Sequence, residues 1–173
     1  DPAYSSGRYK DRMSELDLLD PQPSDVLNAE KVRYALYSQW ILSAFDSVCT
    51  CKFVFGPAWQ LYSCGQLVDA MQAITGWPVT LWELMKVGER RLNLLRAFNS
   101  RKGVGSEMDT MPPKLHIPLK GGASDGVSVP VEEFESAKSL YYQMAGWDAH
   151  GNPTRHKLQE LGLGWVAEEL RLG

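Results

Sequence analysis

Most of the features that give away a chain's chemistry are scarce or missing from this sequence. Histidine occurs three times, at His116, His150 and His156, with no second histidine four residues on. With no H-E-x-x-H, a zinc protease is excluded, and each histidine reads as solvated. There is no G-x-S-x-G turn and no Walker loop, because Gly121-Gly122 lacks the Lys-Ser/Thr pair that would hold a phosphate. No apolar run approaches the roughly 18–20 residues needed to cross a bilayer, so no membrane partner is expected. The N-terminus lacks the basic-then-apolar layout of a secretory signal. The eighteen Lys and Arg residues are scattered rather than clustered, so nucleic acid is not an expected partner either. Cysteine is sparse: there are three, and two of them sit at Cys49 and Cys51. That is no secreted disulfide framework, and a reducing cytoplasm fits better, with the thiols buried or bound to metal.

What is present is ordinary globular material. Hydrophobic residues make up 44% and charged residues 23%, which excludes a disordered chain. With 173 residues the chain is expected to form a single helical domain with a respectable core. It begins Asp1-Pro2 without a methionine, which reads as a fragment or a missing start.

The expected architecture is mainly helical. Residues 1–27 are polar and turn-rich, with Pro2, Pro21 and Pro23, and read as an extended lead-in with at most short helices. Asn28 is a plausible N-cap for a helix from Ala29 to about Val48. Its apolar residues wrap most of the way round, as in a central, buried helix. A second helix is expected over about 59–75, with Leu61, Cys64, Leu67, Val68, Met71 and Ile74 in one stripe and Gly76 as its stop. Thr80-Leu81-Trp82-Glu83 has capping-box form and opens a third, running to about Asn99. It should bury Leu81, Leu84, Met85, Leu92 and Leu95 and show Lys86, Glu89, Arg90 and Arg91 to water. Residues 100–130 form a long Gly/Pro-rich loop of the kind that is usually functional or mobile. A helix from Val131 to about Ala145 follows, with Phe134, Ala137, Leu140, Tyr141 and Met144 inward. Two short pieces close the chain, Thr154–Leu161 and Gly164–Leu172. Strand-type alternation is almost absent, Lys52–Phe55 and His116–Leu119 being the only short extended candidates.

The most unusual local feature is Asp46-Ser47-Val48-Cys49-Thr50-Cys51-Lys52, where the first helix runs out. A carboxylate at a helix end can accept two N–H bonds, which suits an N–H-rich heterocycle, and thiolates on the same turn could ligate a soft metal or an iron–sulfur cluster. Spacing alone favours the plainer alternative, in which Cys49 and Cys51 are small buried hydrophobes and Asp46 a cap or surface residue. Cys64 lies on the apolar stripe of the second helix and reads as core. A 4Fe–4S cluster needs about four thiolates, so any cluster here must draw ligands from outside the chain. Glu107 and Asp109 lie close together in the long loop and could serve acid–base work, although two loop carboxylates are usually solvated.

Four stretches together resemble the last part of the aldehyde:ferredoxin oxidoreductase family of tungsten- or molybdenum-pterin enzymes. Asp46–Lys52 is similar to that family's D-x-x-G-L-C-x turn. Thr75-Gly76-Trp77, Gly88-Glu89-Arg90 and Arg96-Ala97-Phe98-Asn99-Ser100-Arg101-Lys102-Gly103 resemble its T-G…G-E-R…R-x-F-N-x-R-x-G pattern. Asp109-Thr110-Met111-Pro112 looks like its D-x-L-P loop. Tyr141-Tyr142, Gly146-Trp147-Asp148 and Gly151-Asn152-Pro153-Thr154, through Leu161-Gly162-Leu163, match its closing motif. The matches run in order from about residue 30 to the end.

The resemblance implies the C-terminal helical domain of an enzyme that holds tungsten or molybdenum in a pair of pterins beside a 4Fe–4S cluster. It implies that Cys51 is the cluster's fourth ligand, that Asp46 hydrogen-bonds one pterin, and that Thr50 joins them at the cofactor. Three further cysteines would come from the rest of the same polypeptide. The implied reaction, in an anaerobic setting, is oxidation of a small aldehyde to a carboxylic acid, with electrons passed singly to ferredoxin; a homodimer is compatible with it. Arg101 and Asp109 become candidates for the substrate channel wall, while no catalytic residue is assigned within the chain, which alone is expected to be inactive. The sequence departs from the pattern at Cys49, where the family has Gly, and at Thr50, where it usually has Leu. Two other readings remain: a relative acting on another substrate, such as an aromatic acyl thioester, and a cofactor-free helical binding or assembly module.

Overall fold

The computed structural model describes residues 12–20, 22–23, 25–55 and 61–170. Besides a helical turn at 12–14, they include six α-helices, and no strand is found among the described residues: α1 (Ala29–Ser47), α2 (Cys64–Thr75), α3 (Leu81–Arg101), α4 (Val131–Ala145), α5 (Arg155–Glu160) and α6 (Gly164–Glu169). Between α3 and α4 the chain makes three short 3-10 turns, at Ser106–Met108, Pro113–His116 and Gly122–Ser124. The mainly helical class and the long irregular loop are therefore as the sequence predicts. The extended candidates form no strand: 52–54 is a turn, and His116 ends a 3-10 turn.

Capping chemistry sets the helix ends. The Asn28 side chain accepts the Lys31 N–H and opens α1. Ser63 and Gln66 form a reciprocal capping box that starts α2 at Cys64, and Gly76 closes it in the left-handed conformation. The reading of α2 from about residue 59 therefore starts too early, for Leu61 precedes the cap and is exposed; residues 59 and 60 lie outside those described. Thr80 and Glu83 cap α3 in the same way. Thr154 caps α5 by accepting the Lys157 N–H. The expected end of the last helix, at Leu172, lies outside the described residues.

The described residues group into two compact units. The first is drawn from 1–23 and 34–95. Its core combines Ile41, Ala44 and Phe45 of α1, Cys64, Leu67 and Val68 of α2, and Leu84 and Met85 of α3 with Met13, Leu16 and Leu18 of the lead-in. The helices approach closely at Gly88, where an added Cβ would sit 1.8 Å from the Trp40 carbonyl oxygen, so only glycine fits. The second unit is drawn from 24–33 and 96–173, and buries Ala97, Tyr142, Ala145, Leu158, Leu161, Leu163, Val166 and Ala167.

Several faces differ from the amphipathic reading. Ile74, Leu95 and Met144, expected inward, are exposed. Glu89, expected in water, is fully buried with its carboxylate 2.7 Å from Lys86 Nζ. Lys86 pairs with the buried charge three residues away on the same helix, which the helical period does not reveal.

Candidate functional site

The turn after α1 is built by backbone hydrogen bonds. Thr50 N–H donates to the Phe45 carbonyl at 2.9 Å and Cys49 N–H to that of Asp46 at 3.4 Å. This is the six-to-one, five-to-two pairing of a Schellman motif, and it requires a left-handed residue in between. Cys49 is that residue, with φ of 56°. The resemblance places glycine there, and the structure keeps the glycine conformation with a cysteine in it. An L-residue in this region carries a cost of about 1–2 kcal/mol, which a glycine would not. The Thr50 hydroxyl also points to the Phe45 carbonyl, at 3.4 Å, so both donors of Thr50 brace the turn. Beyond it, the Cys51 carbonyl accepts the N–H groups of Val54 and Phe55 and fixes the next bend.

Cys49 and Cys51 are exposed, whereas Cys64 is buried. The plain reading of Cys49 and Cys51 as buried hydrophobes is thereby overturned, and that of Cys64 as core is borne out. Burial, followed by the charge of Glu15, pushes the Cys64 thiol up to about 12, so it stays protonated and unfit to ligate a metal. Asp46 is half-exposed. Its carboxylate lies 3.4 Å from Arg91 Nη1 and 3.8 Å from Lys52 Nζ. Both separations exceed the usual N–H···O range of about 2.7–3.2 Å, so the two oxygens keep their capacity to accept shorter bonds.

These residues fit part of a metal–pterin site. Two thiols face outward, of which Cys51 occupies the position that suits one iron ligand, and one outward carboxylate between two cations suits a heterocycle's N–H groups. Among the described residues, no group of three or more His, Cys, Asp or Glu side chains could hold a metal ion. The donor set thus fits a single corner of a cluster, with the other ligands supplied from elsewhere.

A second cluster, in the other unit, escapes sequence reasoning. Arg96, on the last turns of α3, is buried, and its guanidinium grips Asp109 with two bonds of 3.0 and 2.6 Å. Its Nε donates to the Gly151 carbonyl, and its charge lies 5.0 Å from the Trp147 ring. Tyr142 donates its hydroxyl to the same carboxylate. A Cβ at Gly151, where φ is 77°, would meet Arg96 Nη2 at 2.1 Å. Asp148 holds that turn by accepting the N–H groups of His150 and Asn152. Burial alone would raise the Asp109 carboxyl, but bonds from Arg96 and Tyr142 and the nearby charges of Arg96 and Lys138 outweigh it and hold it below the usual range. Burial and Asp109 push the Tyr142 hydroxyl up.

Asp109 is therefore no solvated loop acid, and it is not paired with Glu107. The Glu107 carboxylate instead accepts the Gly105 N–H, which lowers its own proton affinity. Arg101 is exposed and stands apart from the Arg96 cluster in every bond described. His116 is half-buried, with Nδ1 at 2.7 Å from the Val129 carbonyl, rather than solvated; His150 and His156 are exposed as expected. The signal that could have found the Arg96 cluster is in the motifs themselves. R-x-F-N, D-x-L-P and the closing Y-Y…G-W-D…G-N-P each contribute a member.

A family model described as aldehyde ferredoxin oxidoreductase, domains 2 & 3, matches residues 6–163. The tungsten-containing aldehyde ferredoxin oxidoreductases of Pyrococcus furiosus and Thermococcus kodakarensis are each 31% identical to the chain over 144 residues, 82% of its length. An aliphatic sulfonate oxidoreductase, WOR-like subunit, of Pyrococcus furiosus is 28% identical over 143 residues, 78% of the chain. Each match takes up 22% of the relative, so the chain spans about a fifth of the length of the curated relatives it matches. Among solved structures, the active-site complex BamBC of benzoyl coenzyme A reductase with 1,5-dienoyl-CoA superposes with a TM-score of 0.68. At 20% identity, over 88% of this chain and 23% of that one, the likeness is one of fold. The ordered motifs, the helical architecture and the family match over most of the length lead to one conclusion: the chain belongs to the aldehyde ferredoxin oxidoreductase family, in the region of its domains 2 and 3.

Proposed function

We propose that this chain is the C-terminal part of a longer tungsten- or molybdenum-pterin, iron–sulfur oxidoreductase. In this reading the whole protein oxidises an aldehyde and water to a carboxylic acid, releasing two electrons that pass singly to ferredoxin. The observation that carries the chain's share of the work is the contrast among its thiols: Cys51 faces outward on a braced turn, while Cys64 is sealed in the core. When bound, the metal–pterin centre and the cluster supply the redox chemistry, and the protein supplies orientation and electrostatics.

The residues of this chain would then divide the labour as follows. Cys51 offers its thiolate as one cluster ligand. Asp46 offers its carboxylate to pterin N–H groups, with Arg91 and Lys52 beside it. Thr50 acts on the cofactor through position: its two bonds to the Phe45 carbonyl hold the peptide that carries Cys51. Arg96 and Asp109 fix the start of the 100–130 loop, so that any channel wall built from it has a rigid base. Support for tungsten comes from the relatives, which are tungsten-containing aldehyde ferredoxin oxidoreductases.

The test is to express the complete open reading frame anaerobically, assay iron, tungsten and molybdenum, and follow aldehyde-dependent reduction of ferredoxin. Stoichiometric iron and a pterin metal, with aldehyde turnover, are expected. A folded protein with neither iron nor pterin would establish the cofactor-free module instead, and a loaded protein inert to aldehydes would move the substrate elsewhere within the family.

A further inference from the structure

Cys49 is not needed by the proposed function, yet it is the costly residue of the turn. A side chain in the left-handed region persists where something else holds it there, and such outliers point to a role. Its thiol is exposed and so is that of Cys51, two residues on. Two residues span at most about 7 Å between Cα atoms. Bridged cysteines commonly lie about 4.4–6.8 Å apart, so the pair is within reach of one S–S bond. Cys64, the remaining cysteine, is buried and cannot compete as a partner.

We propose that Cys49 is a resolving thiol, forming a reversible disulfide with Cys51 when a hydroperoxide reaches the turn. The Cys51 thiolate attacks one peroxide oxygen, the O–O bond breaks, and a sulfenic acid forms while water or an alcohol leaves. The Cys49 thiolate then attacks the Cys51 sulfur, the S–S bond forms, and the sulfenic oxygen leaves as water after taking a proton. Two electrons pass from the two thiols to the peroxide. A bridge closing so short a loop is strained and hence easily reduced, which makes it a protective cap rather than a structural crosslink. Resting on the reading of Cys51 as an iron ligand, the bridge has a second consequence: it takes the ligand sulfur out of use while the cluster is absent, and spares it from irreversible oxidation.

The flanking residues Arg33 and Lys52 make the test direct, because trypsin releases peptide 34–52, which carries both thiols and not Cys64. The full-length protein, prepared free of iron, is treated with hydrogen peroxide, alkylated, digested and weighed. Peptide 34–52 is expected to be lighter than the reduced form by two hydrogens and closed to alkylation, and dithiothreitol should restore both thiols. In Cys49→Ser the same treatment should carry Cys51 on to the sulfinic acid, which dithiothreitol does not reverse. A native peptide 34–52 found as a Cys51 sulfinic acid, or joined to another peptide, would overturn the proposal. Iron uptake separates this from the ligand reading. Loss after peroxide and recovery after dithiothreitol in the native protein, without recovery in Cys49→Ser, is expected. If the bridge forms but iron uptake ignores it, the thiol chemistry stands and the assignment of Cys51 to iron fails.

Discussion

The turn at Cys49–Cys51 and the cluster around Arg96 are both made from short motifs, yet they direct their polar groups in opposite senses. Around Arg96 every strong donor and acceptor turns inward: guanidinium to carboxylate and carbonyl, phenol to carboxylate, with an indole stacked on the cation. In the turn, the backbone and the Thr50 hydroxyl are satisfied internally, and the thiols and the carboxylate are not. Its thiols are exposed, and its carboxylate keeps its distance from the neighbouring cations. The first arrangement contributes stability and offers nothing to a ligand. The second contributes little stability and leaves its chemistry for whatever joins it. A motif shared with a family can thus be either a brace or a socket, and burial tells which.

The sharpest way to break this comparison is to remove the acid of the brace. Asp109→Ala leaves the Arg96 cation buried without its main partner, and should cost about 2–4 kcal/mol in urea unfolding, discounted for the third of the carboxylate that meets solvent. The pH dependence follows from the sign of the shift. The native Asp109 carboxyl is held below its ordinary value, so its contribution is full above about pH 4 and is lost as pH falls through the lower native value. The native protein should therefore weaken across that acid window more steeply than Asp109→Ala. Equal slopes would mean the carboxylate is not paired as described.

A smaller effect belongs to the buried thiol at the start of α2. Cys64→Ala should cost about 1–2 kcal/mol in lost packing, read from the unfolding midpoint, and leave iron content unchanged. The smallest effect is of opposite sign. Cys49→Gly should stabilise the protein by about 0.5–1 kcal/mol, since glycine meets the left-handed angle without strain but loses more entropy on folding. A destabilising Cys49→Gly would mean that the thiol makes a contact that offsets its backbone cost.

The sequence made the local half of this comparison readable. The caps at Asn28 and Thr80, the stop at Gly76, and the limits of α4 all come from neighbours a few residues apart. Cys64 could be placed in the core because one helical stripe sufficed to bury it. For the Arg96 cluster the motifs mark the members but not their pairing, because its bonds join residues 13 and 55 positions apart and depend on a turn built by Asp148. Glu89 departs from its expected exposure for a related reason: a helical period marks apolar faces and is blind to a charge paired in place with Lys86. Leu61 and Ile74 show the reverse, apolar residues that stand exposed, Leu61 ahead of α2 and Ile74 on it.

The most direct measurement is the iron content of the full-length protein, expressed anaerobically, with Cys51 and Cys64 replaced by alanine in turn. The account predicts that Cys51→Ala loses cluster iron, and that Cys64→Ala keeps its iron while its midpoint falls. Iron retained without Cys51, or lost only without Cys64, would contradict it.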